Sequence, residues 1–301
     1  MASPTDHRPP QASKHRLTKH HGLGNDFLFL LTDDWADHLP LDVADARHLC
    51  DRRRGVGADG LIIARRGVGP DPDGVPGLEH PYGPTVEMTL FNADGSRAEM
   101  SGNGIRCLAQ AEARQREVER LELAVITDGG LRWCEVRPGP GPDQVLVSVA
   151  MGLPGQGPEP RLAGDLATDT ALTAVLKAAT VDLGNPHLVL LVDAPEAVRL
   201  AVEGPAHEHR HPAGINVGFV APTPGATDEL DLRVWERGAG MTEACGTGAA
   251  AAAHAAHEWG LVGRRVTVHM PGGDVEVAIG GDEGLTLIGP AAYIATVEVP
   301  T

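Results

Sequence analysis

Residues 236–260 read ERGAGMTEACGTGAAAAAHAAHEWG, and the rest of the chain can be ordered around them. The stretch runs from charged residues through a glycine-rich turn into an alanine-rich segment, and alanine is the best helix former. Cys245 stands at the helix entrance, followed by Gly246, Thr247 and Gly248. Backbone N–H groups at a helix N-terminus have no intrahelical partners, and the dipole is positive there. Such a place favours a carboxylate ligand and lowers a thiol's pKa from about 8.5 towards neutrality. Cys245 therefore reads as a reactive thiol, against the alternative of a buried, inert cysteine.

A second copy of the arrangement lies upstream. Ser101-Gly102-Asn103-Gly104 matches Cys245-Gly246-Thr247-Gly248, and a helix pattern follows both. Gly24-Asn25 and Gly184-Asn185 each precede an apolar strand pattern. Asn25 lies 76 residues before Ser101, and Asn185 lies 60 before Cys245. Two motifs recurring in one order indicate a duplicated unit. Two helix entrances facing each other would put two side chains on opposite sides of one ligand carbon. One removes an α-proton and the other returns a proton to the opposite face, which is the chemistry of a two-base racemase. Both N-termini would stabilise an α-carboxylate as it gains enolate character.

The composition narrows the alternatives. A net charge of −16 over 301 residues argues against a nucleic-acid or anionic-membrane partner. Aromatics are 3%, so the core must be built from Ala, Val and Leu. No apolar run approaches the roughly 20 residues a membrane span requires. The first residues, MASPTDHRPPQASKHRLTKH, carry no apolar signal region, and residues 1–16 read as a disordered tail. A cytoplasmic location is expected. Cys50, Cys107, Cys134 and Cys245 are widely spaced, with neither disulfide nor zinc-ligand spacing. His254 and His257 read as helix-surface or packed residues rather than metal ligands, and His207, His209 and His211 as a surface loop cluster.

Along the chain, HRLTKHHGLGNDFLFLLT gives a first strand around a tight turn at Gly22 and Gly24. Residues 43–66 read as a short helix, a glycine-rich loop and a strand; Arg52, Arg53 and Arg54 fit either an anion site or a solvated helix end. Residues 67–84 are a Gly/Pro-dense loop. VEMTLFN delivers Asn92 to a strand end, and a helix follows from Ile105 to about Glu117 with Ile105, Leu108, Ala109 and Ala113 on one face. MGLPGQGPEP, residues 151–160, marks the boundary between halves, and Gly272-Gly273 marks a hairpin. The fold class is α+β, with each half a mostly antiparallel sheet around one buried helix.

The motifs HGLGNDF, RRGVGADG, FNADGSRAEMSGNGIRC, LGNPH, GINVGFV, ERGAGMTEACGTG and MPGG, in this order over about residues 17–300, closely resemble the diaminopimelate epimerase family. The resemblance implies two pseudo-symmetric halves with the ligand between them: 17–149 plus 289–301, and 150–288. It implies a homodimer that needs neither cofactor nor metal. It implies substrate contacts from Asn25, Asn92, Asn185, Asn216, Glu236 and Arg237, and from the backbone at Gly102, Asn103, Gly246 and Thr247. Cys245 and Ser101 would be the two bases, with His187 and Glu236 their polar neighbours. Arg237 would grip a distal carboxylate and Glu236 a distal ammonium.

Two departures stand out. Gly60 lies where several relatives carry a ligand-contacting glutamine. Ser101 stands where the family's first catalytic cysteine belongs. A thiol ionises near 8.5 and an aliphatic hydroxyl near water's roughly 15.7. The gap is on the order of 10 kcal/mol, of which a helix dipole recovers up to about 2. A native Ser/Cys enzyme with His187 acting through Ser101, a Cys→Ser variant, and a relative with altered activity or binding alone all remain open, as does another racemase or proton-shift isomerase of the same fold.

Overall fold

The computed structural model describes residues 14–33, 40–66, 84–164 and 172–300. Residues 1–13 of the expected tail and 67–83 of the expected loop lie outside them. Lys14, His15 and Arg16, assigned above to the tail, instead begin β1 (Lys14–Gly22). Each pairs with a residue near the C-terminus, Lys14 with Pro300 and Arg16 with Glu298, so a partner strand holds them in place.

The first half continues with β2 (Asn25–Thr32), α1 (Val43–Cys50), β3 (Gly60–Arg66), β4 (Thr85–Asn92), β5 (Arg97–Ala98) and α2 (Gly102–Gln115). Then come β6 (Leu121–Thr127), β7 (Gly130–Pro138) and β8 (Gln144–Gly152). The second half has β9 (Gly155–Gln156), β10 (Lys177–Asp182), β11 (Pro186–Leu191), α3 (Leu200–Glu208), β12 (Asn216–Pro222), β13 (Glu229–Glu236) and β14 (Gly240–Thr242). It ends with α4 (Gly246–Glu258), β15 (Arg265–Met270), β16 (Gly273–Ile279) and β17 (Leu285–Pro300). The strands around the helices are rich in Val, Ile, Leu and Phe and are buried over much of their length, as strands covered on both faces are.

The two halves repeat one pairing plan. β2 runs parallel to β3, β3 antiparallel to β4, and β4 parallel to β6. β11 runs parallel to β12, β12 antiparallel to β13, and β13 parallel to β15. The register repeats as well. Phe27 lies opposite Gly60 and Gly60 opposite Asn92; His187 lies opposite Asn216, and Val217 opposite Trp235 puts Asn216 at the level of Glu236. Asn92 precedes Ser101 by nine residues and Glu236 precedes Cys245 by the same nine. Closure is by exchange: β17 pairs with β16 and β8 and then with β1, while β9 pairs with β10. Among the described residues all seventeen strands belong to one sheet, wrapped into two pseudo-symmetric barrels.

Each barrel encloses one helix. α2 packs against β1, β2, β7, β8 and β17, and α4 against β10–β13, β16 and β17. The single apolar face expected for α2 proves too narrow: every residue from Gly102 to Ala113 is buried, including Arg106, Gln110 and Glu112. Ala249–Ala253 of α4 have no exposed surface, because only a methyl side chain lets the strands close in on all sides. The histidine cluster is also corrected. His207 and His211 are buried, since α3 lays His207 edge-on against the Phe219 ring and Ala163 N donates to its Nδ1; His209 alone is exposed.

The two helices meet at their N-termini. A Cβ on Gly102 would lie 3.2 Å from Gly246 Cα, and a Cβ on Gly246 would lie 3.2 Å from Gly102 Cα and 2.7 Å from Leu287 Cδ2. Glycine is required here by backbone approach, since neither position has a positive φ. Overpacking of this kind costs about 1–3 kcal/mol, and the helix propensity of alanine returns about 1. The Gly246→Ala protein should therefore lose up to about 2 kcal/mol in a denaturant titration; a stability above that of the parent would mean the contact is loose.

Candidate active site

Both helix entrances are capped by the residue that the repeat singles out. Ser101 Oγ accepts from Gly104 N at 3.1 Å, and Cys245 Sγ accepts from Gly248 N at 3.4 Å. Ser101 lines a cleft of about 470 Å³, of the size used for small ligands. Cys245 is 3% exposed and does not itself line the cleft, whereas Glu236, Thr242 and Glu243 do. The thiol lies 3.5 Å from Thr247 Oγ1, and the Glu236 carboxylate is near enough for its charge to act on it. The helix terminus was expected to lower the Cys245 pKa. Instead burial, and then the Glu236 charge, push it well above its ordinary value, because the dipole and the Thr247 and Gly248 bonds are smaller than the loss of water. Burial raises Glu236 too, against the bond from Thr242 Oγ1 at 2.5 Å.

The other second-half residues surround this pair. Asn216 is held by its own strand ends: its Nδ2 donates to Pro186 O at 2.9 Å, and Arg237 N donates to its Oδ1 at 3.0 Å. Asn185 Nδ2 donates to Thr247 Oγ1 at 3.3 Å, while its buried Oδ1 has no hydrogen-bond partner. His187 is buried with Nε2 unpartnered, and no hydrogen bond joins it to Ser101 among the described residues. Burial, with a smaller push from Arg237, lowers its pKa to about 3, so the ring is neutral.

In the first half a chain of amides and charges holds the cleft wall. Asn25 Nδ2 donates to Asp59 Oδ2 at 2.8 Å, Asn103 Nδ2 donates to Asn25 Oδ1 at 3.0 Å and to Ala244 O at 2.8 Å, and Arg106 Nη2 donates to Asn103 Oδ1 at 2.8 Å. Asn103 is thus a side-chain link to the second half. Arg52 pairs with both Asp26 and Asp59, which removes it from the anion site suggested for it; Arg53 and Arg54 are exposed, as a solvated helix end predicts. The Asp26 carboxyl is held below its ordinary range because the bonds from Arg52 and Lys19 outweigh burial. Asn92 lines the cleft and donates to Ser96 Oγ at 3.0 Å. At Gly60 a side chain would meet Phe91 O at 2.7 Å and the Phe27 ring at 3.1 Å, so Phe27 occupies the space a glutamine would need.

The sequence reading passed over Glu99, Asp59 and Arg106. Glu99 accepts from Arg237 Nη2 at 2.9 and 3.1 Å, a carboxylate already seated on the guanidinium expected to hold a substrate carboxylate. Asp59 lies within GADG, where it reads as turn chemistry. Arg106 has no acid three or four residues away, which is the one trace it leaves in the sequence. The cleft wall carries five carboxylates, Asp59, Asp94, Glu99, Glu236 and Glu243, against Arg52 and Arg237, which suits a ligand bearing ammonium groups. Among the described residues no three His, Cys, Asp or Glu side chains come together as a metal site.

Solved structures share this architecture. A predicted epimerase from Pseudomonas aeruginosa matches with a TM-score of 0.68 at 16% identity, over 95% of this chain and 99% of that one. A hydroxyproline epimerase from Agrobacterium vitis matches with a TM-score of 0.67 at 14% identity, over 95% and 92%. At such identities the likeness is one of fold, and it places the chain in an architecture used by epimerases. The family model of diaminopimelate epimerase matches residues 17–154 and 179–294. The diaminopimelate epimerase of Azotobacter vinelandii is 37% identical over 287 residues, covering 93% of this chain and 96% of that protein. The chain belongs to the diaminopimelate epimerase family.

The neutral His187 gives the site a signature in pH. Its folded pKa of about 3 lies below the ordinary 6.5, so protonation favours the unfolded chain. Its contribution is complete above pH 6.5 and is lost as the pH falls towards 3. The His187→Asn protein should lose about 2–3 kcal/mol less stability between pH 7 and pH 4 than the parent. Equal acid losses, measured by denaturant titration at both pH values, would place a charged or solvated histidine there.

Proposed function

We propose that the protein interconverts LL- and meso-diaminopimelate by moving the α-proton between side chains at its two helix N-termini, with no cofactor. The observation that carries this reading is the back-to-back meeting of α2 and α4, with Ser101 and Cys245 as their N-caps. The reacting α-carboxylate would take the backbone N–H groups at Gly102, Asn103, Gly246 and Thr247. The Cys245 thiolate, formed as its proton passes to Glu236, takes the α-proton from one face. The electron pair of the C–H bond passes into the carboxylate as an enediolate, stabilised by both N-termini. The Ser101 hydroxyl returns a proton to the opposite face and regains one from solvent in the cleft that it lines; in reverse, His187 would take the Ser101 proton once a bound substrate brings the two within hydrogen-bond reach.

Asn25, Asn92, Asn185 and Asn216 would hold the two amino acid ends, with the unpartnered Asn185 Oδ1 free to accept from an ammonium. Glu236 would contact the distal ammonium as well. Arg237 would take the distal carboxylate, which replaces that of Glu99 on Nη2. The excess of wall carboxylates supports a substrate with two ammonium groups over a simple amino acid. This reading includes a homodimeric, cytoplasmic enzyme of lysine and peptidoglycan precursor synthesis. The Ser101 hydroxyl also favours a second reading, a diaminopimelate-binding relative that has lost one base.

Incubation of each isomer in deuterated water separates these readings. Cys245 should exchange the α-hydrogen of one isomer faster than that isomer epimerises, and the other isomer should react slowly from the serine side. Ser101→Cys should raise the slow abstraction by orders of magnitude, because a thiolate forms so much more readily than an alkoxide. Binding of both isomers without exchange of either would move the protein to the second reading. Replacing Arg237 by Met should weaken diaminopimelate binding by about 1.5–3 kcal/mol, the range of a charged hydrogen bond; unchanged affinity in calorimetry would take Arg237 out of the site.

A further inference from the structure

Arg106 is the bulkiest of the fully buried side chains, with no exposed surface among the described residues. It projects from the second turn of α2 into the knot where the two helix N-termini meet. Nη1 donates to Gly102 O at 3.3 Å, Nη2 to Asn103 Oδ1 at 2.8 Å, and Nε to Pro290 O at 3.2 Å. Three glycines make room for it. A Cβ on Gly22 would lie 3.1 Å from Nη2, one on Gly246 3.1 Å from Nη1, and one on Gly289 3.1 Å from Nε. The guanidinium therefore bonds the first residue of α2 and lies close to the first residue of α4, Gly246, the neighbour of Cys245.

Every acceptor around this cation is neutral. The acids of the surrounding elements are engaged elsewhere: Asp26 with Lys19 and Arg52, and Glu112 with Arg116. A buried ion without a counter-ion is costly, and removing an anion's only partner cation is costlier still. If Arg106 served only as a bracket for three carbonyl groups, a neutral amide could fill part of that role without the charge. The anions missing from the resting site arise only in the reaction, one on Cys245 Sγ and one on the substrate's carboxylate as it becomes an enediolate. Both would form at the helix ends beside which Arg106 lies.

We propose that Arg106 is a positioning residue whose charge is the buried counter-ion of the Cys245 thiolate and of the enediolate, while its hydrogen bonds keep the two helix N-termini in register. It rests on the reading of Cys245 as a base. The charged group acting on Cys245 is Glu236 from β13, which Asp59 in turn influences, and Arg106 of α2 feels the charge of an ionised Cys245. Glu236 and burial disfavour the thiolate, the Thr247 and Gly248 hydrogen bonds oppose them, and Arg106 is the buried cation on the facing helix. Burial lowers the Arg106 pKa to about 10, and an ionised Cys107, and after it an ionised Cys245, would favour its charged form. Cys107 is fully buried in the core with its own pKa pushed up to about 12, which leaves Cys245 as the thiol at the helix entrance.

The test is the rate at which iodoacetamide alkylates Cys245 at fixed mildly alkaline pH, located by mass spectrometry, in the parent, Arg106→Gln and Arg106→Lys proteins. Alkylation needs the thiolate, so each unit of upward thiol shift slows it about tenfold. Arg106→Gln should slow it at least tenfold, whereas Arg106→Lys, which keeps the charge, should stay within about threefold of the parent. Mere loosening of the fold would expose the thiol and speed alkylation, so a Gln rate equal to or above that of the parent overturns the proposal. If the Gln protein does not fold, the Lys protein decides, and a tenfold slower rate in it would show that geometry rather than charge matters. Diaminopimelate exchange should follow the same order, with kcat falling more than tenfold in the Gln protein and KM changing less. Alkylation is read without substrate, so it judges the counter-ion even if diaminopimelate proves not to be the substrate.

Discussion

Everything in this molecule depends on two peptide units that touch. The Cα atoms of Gly102 and Gly246 stand so close that a methyl on either would press into the other. This contact joins the N-termini of the two enclosed helices, so that their first-turn N–H groups, of which the caps take only Gly104 N and Gly248 N, and two positive dipole ends converge on one place. It also fixes the symmetry. Each barrel must end its central helix at the shared boundary, and the strands must hand over there, as β17 does between β16 and β1.

Duplication supplies the frame, and divergence at equivalent registers supplies the chemistry. Phe27, Gly60 and Asn92 in the first half stand where His187, Asn216 and Glu236 stand in the second. One half thus offers an aromatic ring, a bare backbone and an amide; the other offers an imidazole, an amide and a carboxylate. The same asymmetry reaches the N-caps, a hydroxyl on one side and a thiol beside a carboxylate on the other. A symmetric frame with unlike groups is well matched to a reaction whose two directions attack opposite faces of one carbon.

The site's electrostatics are set by burial more than by dipoles. A helix end is worth up to about 2 kcal/mol, and removing a charge from water costs several. That order of magnitudes explains why Cys245 is raised although it caps a helix, why Glu236 is raised although Thr242 donates to it, and why His187 stays neutral. Charge is kept in the resting site only where partners compensate it, as in the Lys19, Asp26, Arg52 and Asp59 group, or where it faces the open cleft, as in Glu99 and Arg237. Arg106 breaks that pattern.

By itself the sequence determined the repeat, the helix entrances and the polar residues at strand ends. Glycine spacing, strand alternation and the N-cap position are local properties, set by sterics within a few residues. The motif order determined the family as well. Tertiary structure decided whatever depends on what else comes near. The first-turn pattern of α2 shows one apolar face, yet enclosure by a barrel buries its whole circumference down to Ala113. His207 and His211 look like surface polar residues until α3 folds over them. Glu99 and Arg237 are 138 residues apart, and no local rule pairs them. The direction of the Cys245 pKa followed the same logic: the dipole is written in the neighbouring residues, but the loss of water that outweighs it comes with burial, and Glu236 of β13 and Met270 of β15 reach Cys245 only in the folded chain.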